Sequence, residues 1–573
     1  MSRRNSHALL LVIVCCVCAA AQTSPQTATP GSPNSDETTT GNITGSVVNE
    51  SGQPFAGAQV TLRQLNSALP ARTATTDSEG TFRVAGLSPA LYIVSANAPG
   101  YIVPQTDANL PINHHRLGDS VRLELIRGGV ITGSVTNAAG EPLIAVNVRA
   151  WLVRDAQGQP AKIPSTFYME QTTDDRGIYR LFGLMPGSYV VAAGGSGFSQ
   201  RFQLSAFTSD APTYAPSSTR DAAAEVTVHS GEEADVDIRY RGEPGHSISG
   251  SVRLASTAGA SITLSSPGGA YTSFGSAFQQ FGTRGFEFSG LADGDYVIVA
   301  REVIRPVPPH PSALFMSEPR RITVKGADVT GLELVTKPLA WLSGRVVLEP
   351  TKPAECEGKR RPLFSEMIVI LRRHEKDAET ELLPFATTSA SGSPDAKGSF
   401  AISNLTSGRY LPQPQFYARY WYLNSMTLTG PAKTDAAANW TTVKFGEHAD
   451  VTISLAEGAA SIRGRVNAAA GAQLPSGLGV YLVPAEREKS ANVLRYFVST
   501  LAGDATFAFN NLPPGRYLAL LQTLDPQATT LETLWLPEAA DVRTKLRRAA
   551  ETQKTNLELK PCQNLTDYQL AFK

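Results

Sequence analysis

"TTDSEGTFRVAGLSPALYIVSA" occupies 75–96, and "TTDDRGIYRLFGLMPGSYVVAA" occupies 172–193 with the same length and the same spacing of turn and apolar residues. In the first stretch Phe82 and Val84 alternate with Arg83, and Tyr92, Val94 and Ala96 alternate further on. A period of two is the signature of a strand with one buried face. Gly86-Leu87-Ser88-Pro89 lies between the two runs and reads as a turn, with Pro presetting φ. Asp77 and Asp174 precede each first run, where a carboxylate can accept backbone N–H groups of a tight turn. Each stretch is therefore turn, strand, turn, strand.

The pattern occurs five times. Its aromatic position holds Phe82, Tyr179, Phe286, Phe400 and Phe507, and ten residues later stand Tyr92, Tyr189, Tyr296, Tyr410 and Tyr517. Successive tyrosines are 97, 107, 114 and 107 residues apart, the length of a domain. The fixed Tyr fits a tyrosine corner, with a buried ring and a hydroxyl bonded to nearby backbone. Upstream of each copy stands an apolar residue followed by x-Gly-x-Val, at Ile43, Ile131, Ile248, Leu342 and Ile462. Alternating runs such as 121–125, 234–240, 329–335, 449–455 and 555–560 close the copies. Roughly seven short strands per ~100 residues predict an all-β chain of tandem small antiparallel β-sandwiches. The expected units are 41–127, 128–243, 244–337, 338–457 and 458–573. A short helix is expected within 536–553, where Val542, Leu546 and Ala549 share one face, covering one end of the fifth unit.

Residues 1–21 carry Arg3 and Arg4, an apolar run from 8 to 20 and a small-residue cleavage site, the layout of a secretory signal peptide. Cys15, Cys16 and Cys18 also raise lipidation, but a lipidated Cys follows a small residue and Val17 precedes Cys18. Residues 22–40, rich in Thr, Ser, Pro and Gln, read as a disordered linker. No later apolar run reaches the ~18 residues of a membrane span. The expected location is secreted, periplasmic or in the outer cell envelope. Lys+Arg and Asp+Glu both number 51, so nothing in the charge balance points to nucleic acid. Cys356 and Cys562, 206 positions apart, are left after cleavage and are read either as a disulfide or as two separate buried thiols.

The run "ITGSVVNESGQPFAGAQVTL", together with 75–96, resembles the carboxypeptidase regulatory-like domain. The resemblance is most specific in the first two units and weakest in the third, which lacks the Gly-x-Pro turn. It implies a transthyretin-like β-sandwich, grouped with carbohydrate-binding-like folds, and an accessory rather than a hydrolytic role. Polysaccharide or an envelope protein is the partner class it suggests, and an accessory subunit of a peptidase is a more distant one.

Residues for catalysis are sparse. His229-Ser-Gly-Glu232 has the spacing of a zinc-ligand pair, but "VTVHSGEEADVDI" aligns internally with "TTVKFGEHADVTI" at 441–453, where Lys444 replaces the His. His114-His115 lacks a third ligand nearby in sequence, and no metal or other cofactor is expected. There is no H-E-x-x-H, G-x-S-x-G or Walker A motif, and the chain is read as non-enzymatic. Aromatic residues in long connections are the candidate ligand contacts: Tyr168, Tyr214, Trp421, Tyr422 and Trp440. Each of them also fits the buried position of an alternating strand.

Overall fold

Five times along the chain, the strand bearing x-Gly-x-Val lies between an antiparallel and a parallel partner. Gly41–Asn49 pairs antiparallel with Thr81–Leu87 and parallel with Ser120–Arg127. Gly129–Thr136 does the same with Ile178–Leu184 and with Glu233–Asp235 and Ile238–Arg239. The later copies centre on His246–Arg253, Ala340–Glu349 and Ala460–Ala468, with the same two kinds of neighbour. This computed structural model describes residues 40–572 apart from 66, 68, 105–113, 162–167, 196–205, 256–258, 267–271, 278–284, 304–313, 352, 375–388, 430–440, 445, 469–472, 525–533 and 536–538. The signal peptide and nearly all of the linker lie outside the described residues.

Register follows from one glycine. Gly45, Gly133, Gly250, Gly344 and Gly464 stand opposite Phe82, Tyr179, Phe286, Phe400 and Phe507. A Cβ on Gly45 would sit 2.0 Å from the Val121 carbonyl oxygen and 2.7 Å from the Phe82 ring. One on Gly464 would sit 2.3 Å from the Tyr568 oxygen and 2.6 Å from the Phe507 ring. Only glycine leaves room for the aromatic ring to cross the strand. The parallel pair is a feature that alternation alone does not reveal. It arises because the chain returns to the free edge of the first strand only after building a second sheet.

That second sheet is small and antiparallel. In the first copy Gln59–Gln64 lies between Arg72–Thr75 and Tyr92–Asn97. Met367–Arg373 and Leu478–Pro484 take the same place in the fourth and fifth copies. In the third copy the two sheets merge, because Phe315–Ser317 pairs with strands of both. Separate clusters of buried side chains fill the first and second copies.

Every tyrosine corner closes identically. The hydroxyls of Tyr92, Tyr189, Tyr296, Tyr410 and Tyr517 donate to the carbonyls of Ser88, Met185, Ala292, Thr406 and Pro513, at 2.7–3.0 Å. Four residues after each aromatic, the backbone is left-handed, at Gly86, Gly183, Gly290, Asn404 and Asn511. Gly and Asn tolerate that conformation best.

The same corner meets the preceding copy. Gly290 packs so tightly there that a Cβ would lie 2.3 Å from the Thr208 oxygen. Asn404 accepts the Leu314 N–H at 3.2 Å, and Asn511 donates to the Ala418 and Trp421 carbonyls at 2.8 and 2.7 Å. A disulfide joins Cys356 to Cys562, tying a short 3-10 turn of the fourth copy to the connection between the last two strands of the chain. The helix α1 (Ala540–Gln553) buries Leu546 and Ala550. It lies on the face of the fifth copy's second sheet rather than across an end, and Gln553 bonds both backbone groups of Leu521.

Candidate functional site

Strand alternation aims one set of side chains outward from the first sheet of each copy. At the position just before the apolar residue of the motif, the copies hold Asn42, Val130, Ser247, Trp341 and Ser461. Trp341 is 42% exposed, an unusual state for an indole. It stands beside His448 on the parallel strand His448–Glu457, and Ser343 stands beside Asp450 one step on. The Trp341 and His448 rings stack, with centroids 3.5 Å apart and planes 16° from parallel. Ser343 Oγ is 2.9 Å from His448 Nε2, Asp450 Oδ1 is 3.3 Å from the same nitrogen, and the hydroxyl also hydrogen-bonds the carboxylate.

Serine, histidine and aspartate together raise the question of nucleophilic catalysis. A relay needs the carboxylate on one ring nitrogen and the hydroxyl on the other. Here both approach Nε2, and Asp450 engages the hydroxyl directly, so the histidine is not held as a base for Ser343. The group acts instead as a polar brace that fixes the imidazole beneath the indole. It leaves a flat aromatic platform edged by hydrogen-bonding groups.

The candidate contacts read from the sequence are dispersed. Trp421, a candidate contact that also fitted a buried strand position, is only 1% exposed and belongs to the core shared by the fourth and fifth copies. Tyr214 is likewise buried, stacked on Trp151 at 6.2 Å. Both are corrected to packing residues, because a neighbouring copy covers the face they point from. Tyr422 is half-buried, and that burial pushes its hydroxyl pKa upward. Tyr168 opens the strand Tyr168–Thr172 opposite Trp151, its side chain lying outside the described residues, as does all of Trp440. Trp341 drew no notice in the sequence, although its outward place beside Leu342 follows from alternation.

His229 and His114, singled out in the sequence, make structural contacts. His229 donates its backbone N–H to Glu232 at 2.8 Å, and Lys444 does the same to Glu447 at 2.9 Å, so the two copies share one turn. His114 is buried, and its carbonyl accepts the Tyr417 hydroxyl at 2.8 Å. Among the described residues no three His, Cys, Asp or Glu side chains are grouped to hold a metal. Asp77 and Asp174 cap their turns: the Thr81 hydroxyl and the Ile178 N–H respectively lead in holding the carboxyls below the usual range.

Residues 42–115 match the family model of the carboxypeptidase regulatory-like domain. The later copies repeat the strand pairing of this regulatory-like domain. Colossin-A of Dictyostelium discoideum is 28% identical over 166 residues, which cover 25% of this chain and 1% of that protein. The chain thus spans a very small part of that relative. Among solved structures, the minor pilin GBS52 of Streptococcus agalactiae is 16% identical, with a TM-score of 0.19 over 35% of this chain and 96% of the pilin. The major pilin BcpA of Bacillus cereus is 11% identical, with a TM-score of 0.14 over 52% of this chain and 99% of that one. No helix among the described residues is long and apolar enough to cross a membrane.

Proposed function

We propose that this chain is an exported, non-catalytic string of five β-sandwich domains, with the bounds given above, that binds carbohydrate of the cell envelope. The observation that carries this reading is the exposed Trp341 platform. The C–H face of a sugar ring packs on an indole through dispersion and apolar contact, while Ser343, Asp450 and His448 stand ready for its hydroxyls. The resemblance of residues 42–115 to a domain of carbohydrate-binding-like fold points the same way, and the basic and apolar leader supports export. Retention of the full chain on immobilised neutral glucan, galactan and xylan tests it. Trp341→Ala should abolish retention without changing the unfolding midpoint. Equal retention of the variant, or none by the parent chain, overturns the reading.

A structural or protein-binding spacer of the envelope is the second reading. The joints favour it, since Asn404, Asn511 and the disulfide fix successive copies to each other. A chain that binds no polysaccharide but holds its dimensions in small-angle scattering would support the spacer.

A further inference from the structure

The outward face of the fifth copy's first sheet differs chemically from its four counterparts. The two outward positions flanking the motif glycine hold Thr44 and Ser46, Thr132 and Ser134, Ser249 and Ser251, Ser343 and Arg345, and finally Arg463 and Arg465. The facing strand carries Arg83, Arg180 or Glu287 in the first three copies but small Ala401 and Ala508 in the fourth and fifth, and only the fifth sets two arginines beside its alanine. A pair of guanidinium groups has been added where a bulky neighbour has been removed. The result is an open groove of about 560 Å³ lined by Arg463, Arg465, Ala508, Thr506, Asp567 and Gln569. A smaller, more apolar hollow of about 280 Å³ continues from it past Thr500 and Leu501.

Arg463 has no carboxylate within ion-pair distance among the described residues, whereas Arg465 lies 3.9 Å from Asp504. On one strand face the two guanidinium stems are roughly 6.6–6.8 Å apart, a spacing that lets them engage separate acidic groups of an extended chain. Asp567 enters the same groove, and Gln569 meets Asn467 at 2.8 Å. A carboxylate and an amide beside two arginines suit a ligand that offers hydroxyls as well as acids. They disfavour a polyanion without hydroxyls, which Asp567 would repel with no compensating hydrogen bond.

We propose that this groove binds an acidic polysaccharide, with Arg463 and Arg465 holding uronate carboxylates and Gln569 and Asp567 meeting ring hydroxyls. The inference shares only its ligand class with the preceding reading, and its residues belong to a different copy. Charge-assisted hydrogen bonds from arginine are the stronger kind, and they weaken as salt screens an exposed site.

Binding of the full chain to polygalacturonate at low ionic strength is the test, with polyglutamate and a neutral glucan as parallel probes. The parent chain should bind polygalacturonate, and Arg463→Ala/Arg465→Ala should weaken it at least tenfold while leaving the unfolding midpoint and neutral-glucan retention unchanged. Arg83→Ala/Arg122→Ala in the first copy removes equal charge and should leave polygalacturonate binding intact. Trp341→Ala should spare it too, so failure of the neutral-sugar reading is distinguishable from failure here. Absence of binding by the parent chain, equal loss in both double variants, or polyglutamate binding as tight as polygalacturonate would each overturn the proposal.

Discussion

The strands Gln59–Gln64 and Met367–Arg373 hold the same place in the first and fourth copies, yet their surroundings are opposite. In the first, Val60 and Leu62 face the core while Gln59 is exposed and Thr61 half-buried, as alternation demands. In the fourth, Met367, Val369 and Leu371 fill the core, and Ile368 and Ile370 on the other face are buried as well. They are covered by Leu91 and Leu65 of the first copy. Nearby, Arg116 lies over the Tyr417 ring at 5.4 Å, and Tyr417 bonds to His114. A strand apolar on both faces is buried on both faces. The outward side chains of this one strand thus report which copies are covered by another.

Charging the covered face should break that difference most. Ile368→Asp sets a carboxylate between apolar side chains with no partner and should cost about 3 kcal/mol or more. Gln59→Asp at the matching position should change stability by less than about 0.5 kcal/mol. Calorimetric unfolding of the full chain separates the two, and equal effects would mean the first and fourth copies do not dock. Removing the disulfide with Cys356→Ala/Cys562→Ala comes next, at about 2–4 kcal/mol. Its effect should fall on the transition of the last two copies and spare that of the first.

What the sequence disclosed divides along the same line. The Asp turn, the aromatic and the tyrosine were legible, because they serve contacts within one copy at fixed spacing. The hydroxyl bond of Tyr92 to Ser88, four residues back, needs nothing from elsewhere in the chain. Trp421, Tyr214 and Ile368 are set by contacts between copies, whose partners lie far away in sequence, so local alternation cannot say what covers them. "MIVIL" at 367–371 did carry the signal of two buried faces, but not the identity of the cover. Trp341 was hidden differently: it sits beside the motif that dominates the alignment, at a position where the other copies vary.

The corners offer a finer version of the comparison. Tyr517 is fully buried, its hydroxyl bonded to Pro513, and burial pushes its pKa upward. Tyr92 makes the same bond at a partly open corner. Tyr517→Phe leaves the Pro513 carbonyl without its partner and should cost about 1–2 kcal/mol, against about 0.5–1 kcal/mol for Tyr92→Phe. Chemical denaturation resolves the gap, and equal costs would mean that water serves both carbonyls alike.

The smallest effect belongs to pH and comes from two neighbouring rings at one joint, His114 and His115. Burial leads in lowering the pKa of both His114 and His115; His115 adds to the lowering at His114, while Asp119 partly offsets it at His115. Arg116 and Tyr417 complete the surroundings. A histidine whose folded pKa lies below its unfolded value of about 6.5 binds fewer protons when folded, so stability rises with pH through that window. The contribution is full above about pH 6.5 and declines as pH falls toward the folded values. The transition of the first copy should therefore weaken between pH 7.5 and 5.5, while His114→Asn/His115→Asn flattens the dependence. Unfolding followed across that range decides it, and an unchanged slope in the double variant would move the titrating group away from this joint.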